Sequence, residues 1–318
     1  MKWLFVGPRL LAGIGQVTKR YADLLEKQGH ETEYIEFGQS PKSSLYDVGF
    51  AFVLPIEQHM TVVDGYMLGC QKKMYMTICE TETVNAQYGI LAKYKTLYVA
   101  SDFCKTVFER QFPNVNWKIL HLYASEPVPR EPVSKAYTFY TIGNVIDPRK
   151  NIKALLSAWQ ECDFPDARLV IKATCVQDFS INIPNLTIIN GLLTNEQMEK
   201  IHQACDCYIN CSHSEGVGMG AVEAALHNKP VIITDYGGLK EYVNTPWVIP
   251  SPPGPIGFDD FLFTKDLLWG QPDYPSLVRC MKECYDAKVR QWDHTHTKNL
   301  IKSIVPDLLR YSSASSEP

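Results

Sequence analysis

Short apolar runs alternate with amphipathic stretches along most of the chain. Apolar runs of about four to eight residues are typical of strands, and apolar positions that recur about three or four residues apart are typical of helices. In the first half, the runs that predict strands lie at 2–6, 32–37, 47–54, 73–79, 97–100 and 117–122. In the second half, they lie at 137–142, 169–174, 186–189, 207–210, 230–234 and 247–249. This alternation of strands and helices predicts the α/β class with parallel sheets.

Helices are predicted between most of these strands. The first covers 16–28, where apolar residues recur at helical spacing. Ser101 is a suitable N-cap for a helix that follows it, and Thr194 with Gln197 forms the capping-box pattern of another. The last amphipathic helix is predicted over about 294–312.

The chain is long enough for two domains, since its 318 residues correspond to about two domains of roughly 150 residues each. Residues 125–134 (SEPVPREPVS) contain three prolines and no hydrophobic periodicity, which predicts a linker. We therefore expect a first domain over 1–125 and a second over 126–293. The predicted helix at about 294–312 is assigned to the first domain.

Charge and hydropathy exclude several classes of protein. The formal net charge is −4, so we expect no nucleic-acid partner. No apolar run reaches the roughly 18 residues that a transmembrane segment needs. The ten cysteines are scattered, which is typical of reduced thiols rather than of a disulfide framework. We therefore predict a cytoplasmic protein, and Lys19 and Arg20 on the first helix leave peripheral association at a membrane surface as an alternative.

The most informative stretch is 206–241, which predicts a strand, a glycine loop, a helix, a second strand and a second glycine loop. Glu215 lies in the first loop and Glu223 lies about one turn into the helix, so both carboxylates are expected to face one volume above the helix N-terminus. The loop and helix start also contain residues whose amides suit an anion: Gly216, Gly218, Met219 and Gly220. Amides for a phosphate beside carboxylates for hydroxyls indicate a sugar nucleotide. The alternative is that the glycines shape a turn and the two glutamates are solvated.

A second polar loop follows the strand at 137–142. It begins with Gly143 and Asn144 and ends with Arg149 and Lys150, just before a predicted helix. Two cations at such a loop suit a diphosphate, because Arg can bind two oxygens and Lys adds a point charge. The alternative is a pair of solvated charges in the first helical turn, where the helix dipole makes cations unfavourable.

Polar residues in the first half indicate a second binding region. Gly13 and Gly15 precede the first helix, but their spacing matches the dinucleotide fingerprint incompletely. They predict a loop that lets a ligand approach the helix. Glu80 and Glu82 follow the strand at 73–79 and are expected at the edge of a cleft. His59 is placed in a loop after the strand at 47–54, where a surface histidine is the simpler interpretation.

Several stretches together resemble a known family. They are SHSEGVGMGAVEAALHNKPVIITDYGGLKE, YTIGNVIDPRKNIKALLSAW, GLLTNEQMEKIHQACDCYI and CETETVNAQYGILAKYKTLYVASDFCKTVF, and LLWGQPDYPSLVRCMKECY resembles the Trp-x-x-Pro-Asp segment of one branch. The chain resembles the retaining GT-B glycosyltransferases with a Glu-x7-Glu motif, a family 4-like group also called glycosyl transferases group 1. The resemblance implies two Rossmann-like domains that face each other across a cleft, with the last helix crossing back to the first domain.

The resemblance also implies roles for single residues. Glu215 matches the motif glutamate that contacts the donor sugar near the reacting centre, and Glu223 matches the one that binds the ribose hydroxyls. Lys150 matches the diphosphate lysine. Asn144 stands where the family usually has an arginine. Either Arg149 supplies the missing charge, or leaving-group stabilisation is weaker, or the protein is inactive.

The implied activity is transfer of a hexose from a UDP- or GDP-sugar to an acceptor hydroxyl with retention of configuration. The expected acceptor is a glycan, a glycoprotein or a lipid-linked molecule, bound near Gly13, Gly15, Glu80, Glu82 and His59. No Asp-x-Asp pair stands in a suitable loop, so we expect no obligatory metal or other cofactor. An inactive protein that binds nucleotide sugars or glycans and a nicotinamide-dependent oxidoreductase are the alternatives. The sequence leaves the donor sugar, its base, the acceptor and the oligomeric state open.

Overall fold

The computed structural model describes residues 1–8, 13–128, 136–175 and 177–313. The chain divides into two compact units. The first contains Met1–Ser125, Phe258–Leu267 and Asn299–Pro318, and the second contains Glu126–Gly257 and Leu268–Lys298. Most of the predicted linker, from residue 129 onwards, lies outside the described residues.

The first unit is built on a parallel sheet, with six strands among the described residues. The strands are β1 (Lys2–Gly7), β2 (Glu31–Glu36), β3 (Tyr46–Phe52), β4 (Cys70–Thr77), β5 (Thr96–Val99) and β6 (Asn116–Ile119). The helices are α1 (Gly13–Lys27), α2 (Glu57–Tyr66) and α3 (Asp102–Gln111), with a 3₁₀ helix over Ala86–Lys93. The strand order is β2-β1-β3-β4-β5-β6. The direction in which successive strands are added to the sheet therefore reverses between β1 and β3.

Burial of apolar side chains on both faces of this sheet holds the first unit together. Trp3, Phe5 and Phe50 are fully buried, and the rings of Phe5 and Phe50 lie 5.5 Å apart. Tyr21 of α1 packs against Phe50 at 5.2 Å. Ser101 caps α3, because its side chain accepts a hydrogen bond from the amide of Cys104, as its position in the sequence predicts.

The loop predicted around His59 is wrong, because Glu57–Tyr66 forms helix α2. Its buried apolar positions are Met60 and Val63, three residues apart. Two such positions are too few to make a helical pattern stand out in the sequence. His59 lies in the first turn of α2, with its ring against Phe37 at 5.8 Å. Partial burial lowers the pKa of His59.

The second unit repeats the parallel architecture, with six parallel strands among its described residues. These strands are β7 (Tyr137–Gly143), β8 (Ala167–Ala173), β9 (Leu186–Ile189), β10 (Cys207–Asn210), β11 (Val231–Thr234) and β12 (Val248–Ile249). Its helices are α4 (Ile152–Cys162), α5 (Asn195–Ala204), α6 (Met219–Leu226), α7 (Leu239–Tyr242) and α8 (Tyr274–Asp286). A small antiparallel pair, β13 (Pro253–Pro255) and β14 (Leu268–Gly270), lies beside them. The capping box of Thr194 and Gln197 is confirmed at the start of α5.

The strand order of the second sheet is β12-β11-β10-β7-β8-β9. Strands β7 and β10 are neighbours, and the order of the remaining strands runs away from them in opposite directions. Ligands of parallel sheets bind beyond the carboxyl ends of the strands at such a switch point. The loops that follow β7 and β10 therefore form the place to look for a site.

The last helix, α9 (Thr295–Ser313), contributes its larger part to the first unit. Its Tyr311 ring packs on Tyr98 of β5 at 5.3 Å. Lys72 of β4 donates a hydrogen bond to the carbonyl oxygen of Tyr311. Within the described ranges, none of the helices is both long and apolar enough to cross a membrane.

Candidate active site

The Glu215 carboxylate is the centre of a buried polar cluster at the switch point of the second sheet. It is only 6% exposed and lies in the loop between β10 and α6. Lys150 Nζ donates to its Oε1 over 2.5 Å, and Arg149 donates to its Oε2 over 3.2 Å. Ser212 Oγ donates to Oε1 over 2.8 Å. Both oxygens thus accept hydrogen bonds from groups carried by two separate loops.

These contacts keep the carboxyl group ionised. Burial alone would raise the pKa of Glu215. The charges of Lys150 and Arg149, together with hydrogen bonds from Lys150 and Ser212, outweigh burial and lower this pKa to about 2. The interpretation of Glu215 as a solvated surface residue is therefore wrong.

The loop after β7 holds the two cations in a short 3₁₀ turn, Pro148–Lys150. Asp147 caps this turn, because its Oδ1 accepts the Arg149 amide over 2.9 Å, and Pro148 follows at the first position, where a missing amide costs nothing. Asp147 Oδ2 also pairs with the Arg149 guanidinium at 3.2 Å. The Arg149 side chain is 13% exposed. The alternative of two solvated charges is therefore wrong.

Glycines let the neighbouring loop lie against Glu215. Gly237 has φ +82°, and a Cβ there would lie 2.3 Å from the carbonyl oxygen of Glu215. That oxygen accepts the amide of Gly238 over 3.0 Å. At Gly220, a Cβ would lie 2.3 Å from the hydroxyl oxygen of Tyr208, so the start of α6 sits directly on this side chain.

The N-terminus of α6 lies next to Glu215. Gly218 is its N-cap with φ 76°, and in the described part of the chain no side chain caps this end. The first amides of a helix have no acceptor within the helix and carry the positive end of its dipole. Gly218, Met219 and Gly220 therefore stand where the sequence analysis expects amides for an anion, and Gly216 lies buried in the loop before them.

Glu223 makes different contacts from Glu215. Its Oε2 lies 3.5 Å from His202 Nε2, and its side chain is 18% exposed. Burial first, and the charges of both glutamates after it, raise the pKa of the Tyr208 hydroxyl. The negative charges of both carboxylates thus raise the pKa of Tyr208, but each carboxylate has its own polar partners.

Gly143 is the last residue of β7, and Asn144 follows it directly. A Cβ at Gly143 would lie 3.6 Å from the Lys150 methylenes, so Lys150 passes close over the end of β7. The side-chain oxygen of Asn144 is buried and has no hydrogen-bond partner among the described residues. Arg149, which could replace the charge of the expected arginine, already bonds to Ser214, Glu215 and Asp147.

His213 and Trp269 are structural parts of the site that the sequence analysis left without a role. Their rings stack at 4.7 Å with an angle of 8° between them. The His213 amide donates to the Arg149 carbonyl over 2.7 Å, and His213 Nδ1 lies 2.8 Å from the carbonyl oxygen of Gly270. His213 thereby connects the Arg149 turn, the Glu215 loop and β14. The position of His213 two residues before Glu215 could have indicated that it belongs to the site. Only the fold shows that its partners are Arg149, Gly270 and Trp269.

The candidates of the first half lie at the carboxyl edge of the first sheet. Gly13 and Gly15 lie in the first turn of α1, so the loop predicted at these glycines is wrong. His59 lies in α2 after β3, and Glu80 and Glu82 follow β4. The order β1-β3-β4 makes these strand ends neighbours. Burial, followed by the charge of Glu80, raises the pKa of Tyr88, so Glu80 lies near that hydroxyl.

A metal site does not stand out in the described ranges, where His, Cys, Asp and Glu side chains form no group of three or more that could hold an ion. Whether a metal is needed stays a prediction.

Comparison with known proteins finds a family match within the second unit. Residues 129–246 match the family model of the Glycosyl transferases group 1. The matched stretch includes Lys150 and Glu215 of the two loops and Glu223 of α6. A stretch of 114 residues is 30% identical to an uncharacterized glycosyltransferase of Methanocaldococcus jannaschii and covers 34% of this chain and 31% of that protein. The chain spans about a third of the length of the curated relatives it matches.

Solved structures show the same fold at low identity. Sucrose-phosphate synthase from Thermosynechococcus elongatus matches with a TM-score of 0.69 and 12% identity, over 99% of this chain and all of that one. The pneumococcal O-GlcNAc transferase GtfA, in complex with UDP and GlcNAc, matches with a TM-score of 0.56 and 15% identity, over 84% of this chain and 57% of that one. The two Rossmann-like halves are those of the GT-B fold, as in these neighbours, which confirms the predicted fold class.

Proposed function

We propose that this protein transfers a sugar from a nucleoside diphosphate sugar to an acceptor hydroxyl. The observation that carries the proposal is the meeting of Lys150 and Arg149 with Glu215 at the switch point of the second sheet, beside the amides of α6. Cations and helix amides stabilise the negative charge that develops on a departing diphosphate. The match of this unit to the Glycosyl transferases group 1 supports the same activity.

The reaction that we propose exchanges one bond at the anomeric carbon. The bond to the diphosphate oxygen breaks, the bond to the acceptor oxygen forms, and the acceptor proton leaves with the departing phosphate. Lys150 Nζ, with Arg149 behind it, is assigned to the diphosphate. We assign Glu215 to orienting these cations and the donor sugar, because a carboxyl group with a pKa of about 2 is a weak proton acceptor at neutral pH.

We further propose retention of configuration, a hexose donor and independence from metal ions. These rest on the family resemblance of the Glu215 and Glu223 stretch. UDP is the first nucleotide to test, since the pneumococcal neighbour was crystallised with UDP, and GDP is the second. The acceptor is assigned to the first domain, at Gly13, Gly15, Glu80, Glu82 and His59. It is a glycan, a glycoprotein or a lipid-linked molecule, and the reaction takes place in the cytoplasm or at a membrane surface.

A second candidate follows from Asn144. Its unpartnered oxygen, and the commitment of Arg149 to three other groups, favour a protein that binds a nucleotide sugar without turning it over. Donor binding is common to both candidates, and turnover separates them.

The test combines binding with product analysis. Thermal unfolding with UDP- and GDP-sugars is expected to show stabilisation by one donor class, because a ligand that binds the folded state raises its melting temperature. NMR of the product is then expected to show transfer with the anomeric configuration of the donor. Binding without transfer or donor hydrolysis would favour the second candidate. Stabilisation by NAD(H) alone would overturn the proposal.

A further inference from the structure

A line of two buried side chains, Tyr140 and His202, runs from the sheet of the second unit to the partly exposed Glu223. Tyr140 of β7 is fully buried, and its hydroxyl lies 2.9 Å from Nδ1 of His202 in α5. On the other side of the ring, His202 Nε2 lies 3.5 Å from Glu223 Oε2. His202 is 2% exposed, so this line is shielded from water.

The Tyr140 hydroxyl decides which ring nitrogen of His202 carries the proton. Burial raises the pKa of Tyr140 well above its ordinary value, so the hydroxyl keeps its hydrogen and needs an acceptor. Within the described chain, His202 Nδ1 is the hydrogen-bond partner of this hydroxyl. An Nδ1 that accepts leaves the hydrogen of a neutral imidazole on Nε2.

The resulting N–H lies beside Glu223, whose Oε2 is 3.5 Å from Nε2. His202 Nε2 is buried and has no partner within hydrogen-bond limits among the described residues, and the Glu223 oxygen stands just beyond those limits. A buried N–H without an acceptor is costly. A small approach of the Glu223 side chain would form the bond.

The orientation of the His202 ring is also restricted by a stacked neighbour. It stacks on His227 at 5.0 Å with an angle of 13°. His227 Nε2 lies 3.1 Å from Glu199 Oε2, which anchors the second ring to α5. His202 can therefore direct Nε2 at Glu223 without turning away.

We propose that His202 is a positioning residue which, in the tautomer imposed by Tyr140, holds the Glu223 carboxylate for the ribose hydroxyls of the donor. The proposal rests on the proposed function, because it takes Glu223 as the ribose ligand. It adds two residues, from α5 and β7, to a site whose other residues come from the loops after β7 and β10 and from α6.

The first experiment measures the tautomer without any ligand. Long-range ¹⁵N–¹H correlation spectra of the protein are expected to show a protonated Nε2 and an unprotonated Nδ1 for His202. In Tyr140→Phe, the acceptor role of Nδ1 is lost and a mixture of tautomers is expected. A wild-type ring protonated on Nδ1 would overturn the proposal, whatever the protein does with nucleotides.

The second experiment measures UDP and GDP affinity by calorimetry. His202→Leu removes the N–H that would donate a hydrogen bond to Glu223. It is expected to weaken binding of the preferred nucleotide about tenfold, the effect of losing a hydrogen bond to a charged group. His202→Gln keeps an N–H near the position of Nε2 and is expected to restore affinity to within about threefold. Equal affinities for both variants and wild type would overturn the positioning role.

Glu223→Ala separates the two proposals. If Glu223→Ala leaves nucleotide affinity unchanged, Glu223 is no ribose ligand and the donor site itself is misassigned. If Glu223→Ala weakens binding while folded His202→Leu does not, the donor site stands and the role of His202 fails. Should His202→Leu not fold, the tautomer in the wild-type protein still decides.

Discussion

The two parallel sheets of this protein have similar architecture but different carboxyl edges. At the edge of the second sheet, four charged groups interlock: Asp147, Arg149, Lys150 and Glu215. At the edge of the first sheet, the candidates are two glycines after β1, one partly buried histidine after β3 and two glutamates after β4. The sheet supplies rigid strand ends in both units, and the loop residues decide which chemistry they carry.

Strand order explains part of this difference. In the second sheet, β7 and β10 are neighbours although α4, β8, β9 and α5 lie between them in the chain. This adjacency brings Lys150 to Glu215 across 65 residues. In the first sheet, the reversal lies between β1 and β3, and it adjoins residues 9–12, which lie outside the described ranges. Among the residues that the structure describes, a cluster of cations around a carboxylate lies at the second edge.

The largest effect is expected for Lys150→Ala, which should reduce turnover about 100-fold or more, because a single group that stabilises transition-state charge contributes this much. Initial rates with saturating donor would measure it. Lys153→Ala is the matched control, since Lys153 is an exposed residue of α4 and should keep the wild-type rate. Full activity of Lys150→Ala would show that Lys150 at the second edge does not stabilise the departing diphosphate.

The next effect concerns the packing of the Glu215 loop. Gly237→Ala would bring a Cβ within 2.3 Å of the Glu215 carbonyl oxygen, so we expect the free energy of unfolding to fall by about 3 kcal/mol from overlap and strain. Gly257 has the same φ of +82° but open space around it. Gly257→Ala should therefore cost only about 1 kcal/mol. Equal losses in urea unfolding would show that the loop adapts to the added methyl group.

Acid is expected to weaken the second unit in two steps. Burial, followed by the charge of His202, lowers the pKa of His227 to about 4. Its contribution is present above the unfolded pKa of about 6.5 and is lost as the pH falls from there through about 4. The lowered pKa of Glu215 acts in the same direction, from about 4.5 down to about 2.

The melting temperature as a function of pH would measure these steps. His227→Gln keeps an amide donor for Glu199 and is expected to reduce the slope of the curve between about pH 6.5 and pH 4 only. Part of the slope should remain, because burial also lowers the pKa of His213 and of His294. The lower step should persist in this variant. A curve for His227→Gln that is parallel to the wild type above pH 4 would contradict the assignment of the upper step.

The smallest effect tests the contrast between the edges directly. Glu80→Gln alters the first edge alone and is expected to leave the affinity for nucleotide within about twofold, since surface changes away from a site have small effects. Its effect should appear in the KM for the acceptor. A large loss of nucleotide affinity in Glu80→Gln would show that donor binding is not confined to the second edge.

Local patterns predicted the elements well where their signals were short-range. The capping box at Thr194, the N-cap at Ser101 and the strand bounds of β9 and β10 follow from neighbouring residues, and the structure confirms them. Helix α2 was missed because its ten residues bury only Met60 and Val63. The β13–β14 pair was missed as well, since three-residue strands carry no usable periodicity.

The sequence by itself determined the α/β class, the glycine loops and the residue types of the candidate site, because these depend on periodicity and on residues close together in the chain. Only the tertiary structure decided that Lys150 and Arg149 bind Glu215, and that Glu223 faces His202 instead. Those pairings depend on which strands are neighbours, and strand order is set by how a whole sheet buries its faces rather than by any local pattern. The sequence places the charged residues in the loops, and the strand order determines which of these residues come into contact.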